Sequence, residues 1–264
     1  MNMITISIVI IEYNSLHEVE RCVKSVGHTC KDLDYEIIVS SNSCYPKEKQ
    51  EKIAHSFPKI RWVFNKKNGG FAYGMDEGLK TACGKYLVIM NPDVIIKSGF
   101  SDMIKFMDDH TSVGAIAPQV VNTKGEIQDS CRSYVSLPSF VGRAVKRLVS
   151  RKTVVLSSKV DYSAIQTVDW VIGAFMMVRR EVYYETEGLD ISYFLYAEDV
   201  DWCTRIRACG YEIVYYPMMK IVYEGSRAAR RSYKYAIIFL HSHFRYWRKF
   251  GFLGGYPQRK GLDF

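Results

Sequence analysis

Four short apolar runs, each parted from the next by a segment of helical spacing, limit what this chain can fold into more than any other feature. Thr5–Ile11 is β-branched and nearly continuous, as in a strand buried on both faces. Leu16, Val19, Val23 and Val26 then recur at helical spacing with charges between them. "YEIIVS" (35–40) reads as a second strand, the lysine-rich 46–56 as a helix and "IRWVF" (60–64) as a third strand. "GFAYGMDEGLKTAC" (70–83) reads as a helix closed by Gly84 at its C′ position, and "KYLVIM" (85–90) as a fourth strand. This β-α-β-α-β-α-β order predicts a parallel, doubly wound sheet with right-handed crossovers, in which ligands bind beyond the carboxyl ends of the strands.

The second part is less regular. "VGAIAPQVV" (113–121) and the long apolar "VDWVIGAFMMV" (168–178) are predicted strands, and a basic stretch spans Arg143–Lys152. A helix from Glu198 to Cys209 ends at Gly210 and leads into a further strand. At 264 residues, 48% of them hydrophobic, the chain suits one large α/β domain or two small ones.

Seven cysteines without C-x-x-C spacing point to reduced thiols and a cytoplasmic setting rather than a disulfide framework. The apolar start is too short to span a membrane and lacks a basic leader, so it is expected to be a buried strand, and the protein neither secreted nor integral to a membrane. The net charge of +8 is partly local: residues 226–249 carry seven Lys or Arg and no acid. Such a balance suggests an anionic partner, whether nucleic acid, a phosphorylated ligand or an anionic membrane surface.

Three clusters carry chemistry. Asp93 follows Asn91-Pro92 at the mouth of the fourth strand, which Pro92 should terminate. It is either a turn former or a ligand for a hard divalent cation set against a diphosphate. Glu198-Asp199-Val200-Asp201 packs three carboxylates into four residues between "FLYA" and "WC". A helix N-terminus favours acids there, and an apolar setting would raise a carboxylate pKa and suit a general base. Gly69-Gly70, inside "NKKNGGFAYGMDEG" (65–78), permits close backbone approach ahead of a helix N-terminus that can receive phosphate or sugar hydroxyls. It matches neither the dinucleotide fingerprint nor the P-loop. The six histidines form no ligand constellation.

Taken in order, "ISIVIIEYN", "YEIIVSSNS", "NGGFAYGMDEGL", "YLVIMNPDV", "VIGAFMMVRREV" and "FLYAEDVDWCTRIRACGYEIVYYP" resemble family 2 glycosyltransferases over residues 4–225, most of all the bacterial rhamnosyltransferase-type members that build surface polysaccharides. The resemblance implies an α/β protein of the GT-A fold, with a Rossmann-like, mostly parallel central sheet flanked by helices. It implies a catalytic domain over 1–225, with a nucleotide-binding half to about 95 and an acceptor half from 96, followed by a basic, aromatic, helical C-terminal tail over 226–264. The activity implied is inverting transfer of a sugar such as rhamnose from a dTDP- or UDP-linked donor to a glycan or polyprenyl-diphosphate-linked acceptor. The nucleotide-sugar would lie along Ile11, Glu12, Tyr13, Asn14, Ser41, Asn42, Asn68, Gly70, Asn91 and Asp93, with Asp93 holding Mg2+ or Mn2+. Asp199 would be the base and Glu198 its helper, and Trp170, Gly173, Ala174 and Asp201 would face the acceptor.

The chain departs from the family pattern at three positions. Ser41-Asn42 stands where Asp-Asn is usual, Asn91 replaces the first acid of the metal motif, and Tyr223, beside Glu224, replaces a metal-binding His. Arg227, Arg230 and Arg231 could instead neutralise the diphosphate, with Arg227 and Arg231 the foremost candidates. Tyr233, Ile237, Leu240, Phe244 and Trp247 form one helical stripe with Lys234, His241, Arg245 and Arg248 beside it, a pattern that suits either packing on the domain or resting on an anionic bilayer at the inner face of the cytoplasmic membrane. A GT-A binding module without catalysis is the alternative raised by the three departures. A nucleic-acid-binding protein, the reading suggested by the basic tail, leaves the acidic cluster unexplained, and no nucleic-acid partner is expected. An aspartyl phosphatase would need paired aspartates where the first strand ends in Glu12-Tyr13-Asn14.

Overall fold

The computed structural model describes residues 4–134, 136–138, 140, 142, 160–225 and 233–253. Its first half follows the predicted alternation: β1 (Ile6–Glu12), α1 (Leu16–Thr29), β2 (Tyr35–Ser41), α2 (Lys47–Ser56), β3 (Ile60–Phe64), α3 (Gly70–Leu79) and β4 (Tyr86–Met90). The second half contributes β5 (Ile95–Ile96), α4 (Ser101–Asp109), β6 (Val113–Val121), β7 (Cys131–Arg132), β8 (Gln166–Val168), β9 (Trp170–Val171), β10 (Phe175–Arg179), α5 (Arg180–Glu185), α6 (Glu198–Ala208), β11 (Glu212–Val222) and α7 (Tyr233–Phe250).

The main sheet runs β3-β2-β1-β4-β10-β6-β11-β5, with β8 also on β11, while β7 and β9 form a separate ribbon. β3, β2, β1 and β4 are mutually parallel, so their carboxyl ends open on one side. Successive side chains of β1 alternate between two cores, Val9 and Ile11 on one face and Ile8 and Ile10 on the other. This double burial explains the unbroken apolar run.

The parallel order does not continue: β10 enters antiparallel between β4 and β6. The apolar run 168–178 is accordingly three short strands rather than one. Its interior breaks at Gly173-Ala174, where the Gly173 N–H donates to Asp199 Oδ2 (3.1 Å) and the Ala174 carbonyl accepts from Asn91 N–H (3.0 Å) in place of ladder bonds. Gly84 is not a helix C′ residue either. α3 stops at Leu79, and Gly84 is glycine because a Cβ there would press into the β1 backbone at Ser7, whose Oγ accepts the Gly84 N–H at 2.7 Å.

The C-terminal helix α7 packs across α6 and the loop before it. Tyr246 OH meets Thr204 Oγ1 at 2.9 Å, and Ser242 Oγ donates to the Leu195 carbonyl at 2.8 Å. Lys249 Nζ bridges Asp190 (2.9 Å) and the fully buried Asp201 (2.8 Å), which also pairs with Arg205 at 2.7 Å and accepts from Tyr193 OH. Burial opposes ionisation of Asp190, but Lys249 and Ser192 together hold its pKa at about 2. Trp247 packs edge-on to Phe140, so it departs from the predicted stripe and joins the core.

Removing one partner of a buried ion pair leaves the other charge uncompensated. Asp201→Asn should therefore cost about 3 kcal/mol in urea unfolding. Glu48→Gln, at an exposed i,i+4 pair with Lys52, should change stability by less than about 0.5 kcal/mol.

Candidate active site

The carboxyl ends of β1, β2 and β4 carry the residues expected at the nucleotide-sugar. Ile11 is buried in the core, and Glu12 is fully buried beneath the strand ends. The Glu12 carboxylate accepts from Ser15 N–H (2.8 Å), Ser41 Oγ (2.5 Å), Ser43 Oγ (2.8 Å) and Tyr45 OH (3.1 Å). It acts as a staple that draws the β1 and β2 loops together, since buried carboxylates are tolerated only when so satisfied. Ser41 is thus turned inward. Tyr13 remains exposed, and Asn14 takes a left-handed conformation (φ 53°) that lets its N–H reach Ser43 Oγ at 2.7 Å.

Asn42 and Asn68 hold the glycine loop. Asn42 Nδ2 donates to the Gly70 carbonyl (2.8 Å), Asn68 Oδ1 accepts the Gly70 N–H (3.0 Å), and Asn65 Nδ2 ties Asn42 to Ser40. Gly70 has φ +90°, and a Cβ on it would overlap the carbonyl of Phe194. That carbonyl accepts the Phe71 N–H at 2.7 Å. Gly70 therefore closes the loop onto the segment leading to α6.

Beyond β4, Asn91 Nδ2 donates to Tyr223 OH at 3.0 Å, and Asp93 stands exposed at the strand mouth. Packing around its carboxyl, and then the charge of Glu18, push its pKa upward. Burial first and Asp93 second push the Tyr223 phenol up to about 12, with Asp199 adding to the effect, so Tyr223 lies within electrostatic reach of both acids. No group of three or more His, Cys, Asp or Glu suited to a metal occurs among the described residues. A single carboxylate beside an amide carbonyl nevertheless fits a hard cation that brings most of its oxygen ligands on a diphosphate.

On the acceptor side, Tyr196 (φ 70°) and Ala197 (φ 67°) are consecutive left-handed residues that throw α6 into the cleft. Such strain in non-glycine residues costs of order 1–3 kcal/mol each and gathers at functional sites. Asp199 accepts from the Gly173 and Val200 N–H groups at 3.1 and 2.8 Å. Its pKa is raised by burial, against the pull of those two hydrogen bonds and of Arg132. Burial, then the charges of Asp199 and Asp201, raise Glu198 well above the ordinary carboxylate range. Glu198 Oε2 is buried without a hydrogen-bond partner among the described residues.

Three expected positions turn out otherwise. Asp201 is consumed by Arg205, Lys249 and Tyr193 and does not face an acceptor: two residues along a helix rotate a side chain by roughly 200°, so it points away from Asp199. Trp170 is buried, donates Nε1 to the Ser133 carbonyl (3.3 Å) and has the Arg132 guanidinium 5.2 Å over its ring, which leaves it a packing residue rather than an open sugar platform. Ala174 is buried too, and its contribution is the carbonyl bonded to Asn91. Arg227, Arg230 and Arg231 lie outside the described residues. Sequence reasoning missed Arg132, which lies in a segment without periodicity, and Tyr196, whose backbone conformation leaves no compositional trace.

Residues 7–186 match Glycosyl transferase family 2. Rhamnosyltransferase WbbL of Escherichia coli (strain K12) is 25% identical over 230 residues, covering 81% of this chain and 83% of that protein. The N-acetylglucosaminyl-diphospho-decaprenol L-rhamnosyltransferase of Mycobacterium tuberculosis (strain ATCC 25618 / H37Rv) is 24% identical over 154 residues, 55% of this chain and 49% of its own length. Among solved structures, GalNAc-T7 with UDP, GalNAc and Mn2+ superposes with a TM-score of 0.64 at 17% identity, over 85% of this chain but only 44% of that one. The mannosyltransferase PcManGT of Pyrobaculum calidifontis, in complex with GDP-Man and Mn2+, gives 0.62 at 18% identity over 96% and 67%. The family match runs from β1 through α5 and the structural likenesses extend over most of the described chain, so this protein belongs to glycosyl transferase family 2 and has the GT-A fold.

Proposed function

We propose that the chain is an inverting glycosyltransferase that moves a sugar such as rhamnose from a dTDP- or UDP-linked donor to a hydroxyl of a glycan or polyprenyl-diphosphate-linked acceptor, working at the inner face of the cytoplasmic membrane. The observation that carries this reading is Asp199. It is fixed by two backbone N–H groups beside a buried Glu198, and its charge, like that of Asp93, is felt at Tyr223. The names of the E. coli and mycobacterial relatives support the sugar and acceptor classes, and the UDP, GDP-Man and Mn2+ of the two solved structures support a nucleotide-sugar donor with a divalent cation.

In this reading Asp199 removes the acceptor hydroxyl proton as the oxygen attacks the anomeric carbon. The bond from that carbon to the diphosphate oxygen breaks on the opposite face, and its electron pair leaves with the nucleoside diphosphate. Asp93, with the Asn91 carbonyl, would hold Mg2+ or Mn2+ against the diphosphate, and the cation would supply neutralisation of leaving-group charge. Arg227 and Arg231, outside the described residues, would add positive charge there. Tyr13 offers an exposed ring beside the nucleotide, and Gly173 holds the base by its N–H.

Thermal stabilisation by a panel of UDP-, dTDP- and GDP-sugars, with and without metal, is the direct test. One nucleotide should raise the melting temperature, more so with Mn2+ or Mg2+, and Asp93→Ala should abolish the metal increment. Asp199→Asn should keep donor binding and lower kcat by about 10²- to 10⁴-fold. Binding without any transfer in the parent protein would favour the non-catalytic module.

A second expectation concerns pH. The base works ionised, and the Glu198–Asp199 pair titrates above ordinary carboxylates, so kcat/KM should fall as pH drops through a value above that range. Glu198→Gln keeps a neutral group beside Asp199, whose upward shift comes first from burial, and should leave that limb near its parental position. A limb moved to lower pH would show that Glu198 is ionised beside the base.

A further inference from the structure

The face of α7 turned away from the protein is a second surface. At 100° per residue, Tyr233, Ile237, Leu240 and Phe244 fall within an arc of roughly 60°, while the packing residues Ser242 and Tyr246 lie on another side. All four are exposed: Tyr233 83%, Ile237 49%, Leu240 54% and Phe244 54%. The helix therefore docks on the domain by its other face and leaves this stripe open. Beside Phe244, the exposed Phe252 closes to a ring separation of 5.8 Å and Leu253 is 84% exposed, which extends the apolar strip past the helix end.

The charge beside the stripe is of one sign. Lys234, His241, Arg245 and Arg248 occupy the adjoining arc and are exposed, and residues 226–249 hold no acid. An exposed apolar stripe flanked by cations matches the interface of a bilayer carrying anionic headgroups, where each Lys or Arg adds attraction and the apolar side chains enter the acyl boundary. A second protein would more commonly meet such a stripe with acids and apolar residues of its own, and α7 offers no acid for reciprocal pairing between two copies.

The geometry points to α7 as the membrane foot of this protein, with the Tyr233/Ile237/Leu240/Phe244 stripe and its flanking cations seated on an anionic lipid surface. This deepens the membrane-side reading of the transferase by naming the surface that makes the contact. The opposite face of α7 bonds the Leu195 carbonyl through Ser242 and meets the ring of Tyr196, the first residue of the strained turn into Glu198-Asp199, through Phe239 at 5.5 Å. A foot so connected would hold the acceptor side of the cleft close to the lipid headgroups.

The test is flotation of the full chain with phosphatidylcholine vesicles, with and without phosphatidylglycerol, at low and high salt. The parent should float with anionic vesicles and lose most of that binding at high salt. Lys234→Glu with Arg248→Glu should reduce binding by about tenfold or more. Ile237→Ser, Leu240→Ser and Phe244→Ser together should abolish it, at all salt concentrations, with little change in melting temperature, since the helix docks on the domain by its other face. Equal flotation of parent and triple variant, or none by the parent, would overturn the proposal. A concentration-dependent dimer in light scattering that the triple variant dissolves, without vesicle binding, would overturn it in favour of self-association. Nucleotide-sugar stabilisation measured on the same preparations keeps the two readings apart: vesicle binding without any donor response would sink the transferase and leave the foot intact.

Discussion

The carbonyl of Phe194 sits where the two halves of the cleft meet, accepting the Phe71 N–H and filling the space that any side chain at position 70 would need. Everything on the acceptor side hangs from this contact. The segment it pins continues into Tyr196 and Ala197, whose left-handed backbone sets the direction of α6, and α6 presents Asp199 to the Gly173 N–H. The loop on the donor side is held as firmly, by Asn42 and Asn68 on either side of Gly70. Because both loops share one carbonyl, the spacing between the sheet mouth and the acidic pair is set by backbone atoms rather than by long side chains.

Acids two residues apart on α6 have opposite fates. Asp201 points to α7 and is neutralised by Arg205 and Lys249, whereas the buried Glu198 and the half-buried Asp199 have too few donors to keep their pKa values low. The unfolded chain would release the protons of that pair more readily than the native one does, so the ionised pair detracts from stability at neutral pH. The Asp201 cluster, the docking of α7 and the packing of Trp202 and Tyr246 offset it from the other side of the same helix.

Much of this was legible in the chain. β1, β2, β4 and β6 follow from apolar runs because strands buried largely on both faces have few polar positions to blur them, and the edge strand β3 follows from its aromatic and β-branched residues. Asp93 and Glu198-Asp199 stood out because acids beside apolar runs demand an explanation, and they lie at the mouth of β4 and the start of α6. What escaped was set by contacts distant in sequence. The break at Gly173-Ala174 depends on Asn91 and Asp199, the early end of α3 and the role of Gly84 depend on Ser7, and the burial of Trp170 depends on Arg132. Asp201 reads like its neighbours until α7 is seen behind it. The α7 stripe was legible as a period but not as a direction, since periodicity says which residues share a face and not which face meets the domain.

β11 has a bearing on how copies of this protein meet. Its outer edge is covered twice, by β8 against Ile213–Tyr215 and by β5 against Ile221–Val222, with Pro217 in the interval between. The far edge, β3, is five residues long and carries Arg61, ion-paired to Glu36. Short, charged or interrupted edges offer poor templates for another chain's backbone. The sheet is therefore closed to growth by strand addition at either margin, and crowding such molecules on a surface would bring their helices and loops together long before it joined their sheets.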